Sequence, residues 1–274
     1  AGSICTITPV RRPLQIGDVV AVRWGGKRRV KRVAAVTGNT VDLDEGRLLV
    51  DGRRLEDRIA DRRDQRLIRP ASVPVVGNSD NWSPIVGRSG QGGRWFCFTY
   101  RNPHQGDQAT AIMDDYPDNQ SVRRKLHPVD RLIVRVPTGT QVAFYRGDSP
   151  ILVAIAQEGR ARSRDAVVIE SERSDLAMAL NRSLDASHPI AVRVDGDGPE
   201  LATIMATIQV RREIEYRDDR PSGEMSYPLT LKTDEVFLVG DNVPVSIDSR
   251  RIGPIKGSSI LGHVEQLLAE GRTE

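Results

Sequence analysis

Almost every apolar run in this chain is short, rich in valine, and cut off by Gly, Asp or Asn. Gly17-Asp18 leads into VVAVRW, RRVKRVAAV follows, and then comes TGNTVDLDEGRLLVDGRRL. Apolar and polar residues alternate along Thr40–Leu43 and along Arg47–Val50, the period of a half-buried strand, and Asp44-Glu45-Gly46 and Asp51-Gly52 are hairpin turns. This is a β-meander. Residues 57–93 lose the period in an Asp/Arg alternation followed by prolines and a Gly-rich stretch, which marks a long connection or a domain boundary. A second β-rich block contains RWFCFTY, RLIVRVP, TQVAFY, ILVAIAQ, DAVVIES, IAVRVDG and ATIQVRREIEY, spaced as in a sandwich or barrel. Only Ser174–Ser183 and Ser259–Glu270 read as helical. From Pro228 to Val264 the style of the first block returns. Meander pieces this short do not make a stable sheet alone, so the two ends of the chain are expected to pair. The expected fold is mainly β, with a discontinuous core over residues 1–65 and 222–274 and a β-rich, sandwich-like module inserted at 66–221.

Composition removes several classes of function. The 40 basic and 37 acidic residues leave a formal charge of +3, and the arginines are scattered among acids. With an aromatic share of 4% and no base-stacking motif, nucleic acid is not an expected partner. Cys5 and Cys97 lie in no CxxC or Cys/His spacing, so neither a metal nor a cofactor is expected. His104, His127, His188 and His263 have no carboxylate or serine at a readable spacing and read as surface or turn residues. No apolar run approaches the roughly 18 residues of a membrane helix. The chain starts at Ala1 without Met, as a processed or truncated product does, and a targeting or anchoring segment is expected to precede it.

Two stretches carry candidate chemistry. In VFLVGDNVPVSIDSRRIG, Val236–Val239 is a continuous apolar run and reads as a strand covered on both faces. Gly240-Asp241-Asn242 then forms a tight turn. A bare turn leaves Ser246, Asp248, Ser249 and Arg250, two hydroxyls with an acid and a base, unexplained. In RRVKRVAAV, strand alternation sends Lys31 to one face and Arg32 to the other. A lysine buried among apolar neighbours loses its charge more easily and serves as a general base. The alternative makes Lys31 part of a solvated basic edge with Lys27, Arg28 and Arg29.

In their order, GDVVAV, VKRVAAVTGNTV, EGRLLVDGRRL, VFLVGDNVPVSIDSRRIG and the closing ILGHV resemble type I signal peptidases, the Ser/Lys-dyad leader peptidases. Lys31-Arg32 fall on the family's Lys-Arg pair. Gly240, Asp241, Asn242, Ser246, Asp248, Ser249 and Arg250 fall without a gap on its GDN…SxDSR box. The resemblance implies a serine endopeptidase that processes exported precursor proteins at the extracytoplasmic face of a bacterial membrane, held there by an N-terminal segment. It makes Lys31 the general base and Ser246 its orienter, with Asp248 and Arg250 as a supporting ion pair joined by Arg32. The chain departs from the family in having Gly38-Asn39 where Gly-Asp is usual. It also has no S-M-x-P-T-L box to supply the nucleophile, so that box is expected before residue 1, with Ser3 the only serine upstream of Lys31. The alternatives are a catalytically inactive relative serving as an extracytoplasmic binding or assembly module, and a β-sandwich adhesion or carbohydrate-binding domain.

Overall fold

The computed structural model describes residues 4–62, 67–75, 81–85, 93–102, 106, 108–116, 119, 122, 124–129, 131–137, 140–146, 149–155, 161–163, 166–170, 190–195, 198–219 and 225–268. The protein is mainly β. The first strands are β1 (Ile4–Thr8), β2 (Val19–Trp24), β3 (Lys27–Val36), β4 (Thr40–Asp44), β5 (Arg47–Val50) and β6 (Arg53–Arg54). Next come β7 (Val73–Pro74), β8 (Trp82–Pro84), β9 (Gly93–Phe98), β10 (Arg101–Asn102), β11 (Gln108–Ala109) and β12 (Leu132–Val136). They are followed by β13 (Gln141–Arg146), β14 (Ser149–Ile155), β15 (Ala161–Ser163), β16 (Ala166–Glu170), β17 (Ile190–Asp195) and β18 (Gln209–Arg212). The last are β19 (Leu229–Thr230), β20 (Glu235–Val239), β21 (Ile255–Lys256) and β22 (Ile260–Leu268). Short helices span Leu55–Ala60 and Gly198–Thr207, and one helical turn spans Ser249–Ile252.

Two compact units divide the chain. One comprises Ala1–Ala71 with Ile214–Glu274, and the other Ser72–Glu213. In the first, strands from both ends of the chain share a six-stranded antiparallel sheet in the order β1-β22-β2-β3-β20-β21. Val20, Val22, Val33, Val236 and Leu238 are buried together, while Val19, Ala21 and Val264 form a separate cluster with Ile68. Burial on both faces accounts for the unbroken apolar runs VVAV and VFLV. A four-stranded sheet, β19-β4-β5-β6, completes the unit. Its hairpins turn through Glu45-Gly46 and Asp51-Gly52, and β2–β3 turns through Gly25-Gly26. All six of these residues have positive φ, the primed turn geometry that matches strand twist.

The second unit holds two five-stranded sheets, β15-β16-β12-β18-β7 and β14-β13-β17-β9-β8. Phe98, Leu132, Val134, Val142, Val192 and Val210, drawn from both sheets, lie in one core, as in a sandwich.

The expected helix at Ser259–Glu270 is instead a short 3-10 turn, Gly257–Ser259, followed by strand β22. β22 hydrogen-bonds β1 on one side and β2 on the other, and that pairing outweighs the local helical preference. The expected helix at Ser174–Ser183 lies outside the described residues. Gly198–Thr207 is a helix the strand pattern obscured, although Pro199 in its first turn and Glu200 after it are start signals.

Candidate functional site

The site is built where β20 runs out. Its partner β21 is only two residues long, so beyond it the outer edge of β20 needs other acceptors for its backbone N–H groups. The SxDSR stretch supplies them. Ser249 Oγ accepts from the Leu238 amide at 2.8 Å, and Asp248 Oδ2 accepts from the Gly240 amide at 2.8 Å. Asp248 also caps the Ser249–Ile252 turn and takes two hydrogen bonds from the Arg250 guanidinium, at 2.9 and 2.7 Å. Arg250 in turn donates to the backbone oxygens of Arg217 and Val243. The ion pair is almost wholly enclosed, with the Asp248 side chain 0% and the Arg250 side chain 6% exposed.

This clasp sets Ser246 against Lys31. Lys31, half-buried in the middle of β3, donates from Nζ to Ser246 Oγ at 2.5 Å. Ser246 also hydrogen-bonds the Asp248 carboxylate. An ionised carboxylate only accepts, so the Ser246 proton is committed to Asp248 and its oxygen faces Lys31 as an acceptor. One N–H of the amine is thereby fixed in direction, which orients the nitrogen lone pair once Lys31 is neutral. Burial holds the Lys31 pKa below the ordinary lysine value; Asp248 pulls it up, while Arg250 and Arg29 push it down.

Gly240 is the spacer. Its backbone does not need positive φ, but a Cβ there would lie 2.1 Å from Ser246 Oγ and 3.0 Å from Lys31 Nζ. Any side chain at this position would occupy the space in which the two functional groups meet. Asn242 shapes the turn that follows, its carbonyl accepting from the Ser246 amide at 3.1 Å.

Arg32 does not join the Asp248–Arg250 pair. Strand alternation points it to the other face of the sheet, where it makes a bidentate ion pair with Asp241 at 2.9 and 2.6 Å and donates to the backbone oxygens of Gly17 and Ile68. It is 2% exposed, so this face of β3 is enclosed at Arg32. Tyr216, which sequence reasoning did not single out, donates its hydroxyl to Asp241 Oδ1 at 2.8 Å and is fully buried. Burial and the neighbouring Asp241 charge keep that phenol protonated, well above its usual pKa, and so a donor.

His263 is not a surface residue. It is 7% exposed, with Nδ1 3.7 Å from Asp18, whose carboxylate also receives Arg12 and Arg62. The strand pairing Val20–His263 carried this information, but strand pairing is not legible in composition. Ser3, His104 and His188 lie outside the described residues. Among the described residues no group of His, Cys, Asp and Glu is arranged to hold a metal ion, and no helix is long and apolar enough to cross a membrane.

Asp18 and Asp248 are both held below the usual carboxylate range. Burial alone would raise each, but Arg12 and Arg62 around Asp18, and Arg250 and hydrogen bonds around Asp248, outweigh it. A carboxyl whose folded-state pKa is lowered adds stability that is fully present above its unfolded pKa, about 4, and is lost as pH falls through the folded value. The urea midpoint of the wild type is therefore expected to fall as pH drops below about 4. Asp248→Asn leaves Arg250 without its carboxylate and is expected to cost about 3 kcal/mol at neutral pH while flattening the acid limb. Urea titrations across the pH range check both.

No curated protein matches this chain significantly. The sequence model of the family described as signal peptidase, peptidase S26, matches residues 4–123 and 191–268, well over half of the chain and including Lys31 and the whole GDN…SxDSR box. By that match, the chain belongs to the peptidase S26 signal peptidase family.

Proposed function

We propose that this protein is a signal-peptidase-type serine endopeptidase in which Lys31 is the general base and Ser246 positions it, acting on precursor proteins that carry signal peptides at the extracytoplasmic face of a membrane. The observation that carries this reading is the Lys31–Ser246 contact, with a half-buried amine held by a hydroxyl whose own proton is committed to Asp248. The unit Ala1–Ala71 with Ile214–Glu274 acts as the catalytic core, and Ser72–Glu213 as an inserted module. Neutral Lys31 removes the proton from the nucleophilic serine, and the alkoxide adds to the scissile carbonyl carbon. The resulting ammonium returns the proton to the leaving amine as the C–N bond breaks. Water, deprotonated by the same amine, then hydrolyses the acyl-enzyme ester. Asp248, Arg250 and Ser249 keep the Ser246 loop in place, and Arg32, Asp241 and Asn242 fix the turn behind it.

The alternative is a non-catalytic relative used for binding or assembly. The test is cleavage of a precursor peptide with small residues at the first and third positions before the bond. Cleavage by the natural protein is expected. Turnover by residues 1–274 that Ser3→Ala abolishes would make Ser3 the nucleophile. No turnover by the natural protein would leave the binding reading.

The pH profile provides an independent check. A base works only when deprotonated, so kcat/KM is expected to rise with pH along a limb whose midpoint lies below the ordinary lysine pKa, in keeping with the lowered Lys31 value. A limb at the ordinary lysine position would separate the activity from this amine.

A further inference from the structure

Beyond burial, the charges that act most on the Lys31 amine are Asp248, Arg250, Arg29 and Asp241. Three of them are tied to a counter-charge of their own, because Asp248 and Arg250 bind each other and Asp241 binds Arg32. Opposite charges held together largely cancel at a third site. Arg29 is different. Among the described residues it has no carboxylate partner, and the Val19–Val36 stretch that carries it contains no Asp or Glu. Its guanidinium lies 4.9 Å over the ring of half-buried Trp24, with Nε enclosed and making no hydrogen bond to a described residue.

The strand ladder places this cation beside the base. Arg29 and Lys31 are two residues apart in β3 and so stand on the same face, where β2 sets Val22 beside Arg29 and Val20 beside Lys31. Trp24, the next residue of β2 on that face, meets the guanidinium diagonally. Val20 and Val22 are 0% and 2% exposed, so the strip alongside the two cations is apolar and screens them poorly. A ring face holds a guanidinium through its quadrupole and leaves the charge uncancelled, which a carboxylate would not. Arginine also stays charged throughout the range in which a lysine titrates. A like charge fixed nearby disfavours the protonated amine. We propose that Arg29, held on Trp24, is a positioning residue that acts through Lys31: its uncancelled charge biases the amine toward the neutral form that accepts a proton. The proposal rests on the reading of Lys31 as the general base and adds the device that readies it.

The test is the titration of the Lys31 amine itself, followed by NMR in the 274-residue chain labelled with carbon-13 at lysine Cε. The chain has five lysines, Lys27, Lys31, Lys125, Lys232 and Lys256, and Lys31→Met identifies the Lys31 signal. Arg29→Gln is expected to move the Lys31 midpoint to higher pH and Arg29→Glu to move it further, while Arg29→Lys stays nearest the wild type. Trp24→Leu, which frees the guanidinium to swing into solvent, is expected to move it in the same direction as Arg29→Gln but less. These differences should narrow as salt is raised. Lys232→Gln, at an exposed residue between β19 and β20, is the control for net charge and should leave the midpoint in place. In the natural protein, kcat/KM of Arg29→Gln should fall severalfold on the rising limb of the pH profile and return to the wild-type value on the plateau above it. A midpoint left unchanged by Arg29→Gln and Arg29→Glu, or moved equally by Lys232→Gln, would overturn the proposal. So would a rate loss that persists on the plateau, which would assign Arg29 to the fold or to substrate contact. The NMR midpoint needs no turnover, so these outcomes are separate from the failure of Lys31 as the base, which is read from activity surviving in Lys31→Arg.

Discussion

Replacing Lys31 by methionine is expected to lower kcat for precursor cleavage by the natural protein at least about a thousandfold, because a general base and its nucleophile act as a unit and fail together. Methionine keeps most of the side-chain volume and removes the amine that Ser246 holds at 2.5 Å. Lys31→Arg is the sharper variant. Arginine keeps the positive charge and the ability to donate to Ser246, yet it does not deprotonate in a protein. If Lys31 served only as a cation beside Asp248, Arg would preserve activity; if it is the base, Arg is as inactive as Met. Stability should move the other way. Burial disfavours the charged lysine, so the folded protein tolerates that cation rather than benefiting from it. The urea midpoint of Lys31→Met is therefore expected to equal or exceed that of the wild type. A variant that loses activity only because it unfolds would show the opposite, and activity retained by Lys31→Arg would remove Lys31 from the chemistry.

The legible and illegible parts of this site divide along a physical line. Val236–Val239 is four apolar residues in a row, so its burial on both faces could be read directly from sequence, and the GDN…SxDSR spacing marked the local clasp because all its members lie within a few turns of one another. Arg32 was harder. Alternation tells which way a side chain points but not what covers that face, and its partner Asp241 lies 209 residues away. Tyr216 gave no signal of its own. It reaches the site because its amide is held by Glu56 and its carbonyl by Leu48, contacts of a tertiary arrangement that no period reveals. Ile260–Leu268 has a sequence compatible with a helix, and only the open edges of β1 and β2 make it a strand. His263 followed the same logic, its burial decided by the pairing of β22 with β2, whose Val20 lies between His263 and Lys31 and pairs with both.

Gly240→Ala is expected to disable the protein by adding one methyl group. The new Cβ would fall 2.1 Å from Ser246 Oγ and 2.7 Å from Ser246 Cβ, distances real atoms do not adopt, so Ser246 must leave its place beside Lys31. Ser246 cannot yield freely, because Asp248 and Ser249 anchor its loop to β20 through the Gly240 and Leu238 amides. The cost of such overpacking is about 1–3 kcal/mol of stability, and kcat should fall on the order of a hundredfold as the lone pair of Lys31 loses its orientation. Backbone strain is not the cause, since Gly240 is not among the residues with positive φ. The pairing of Gly240→Ala with Ser246→Gly separates the two effects. Removing the Ser246 side chain opens the volume the alanine needs, so the double variant should regain most of the lost stability. It should regain none of the rate, because the hydroxyl that holds the amine is gone. Recovery of both would mean that Gly240 matters only as a space in the packing and that Ser246 does not position the base.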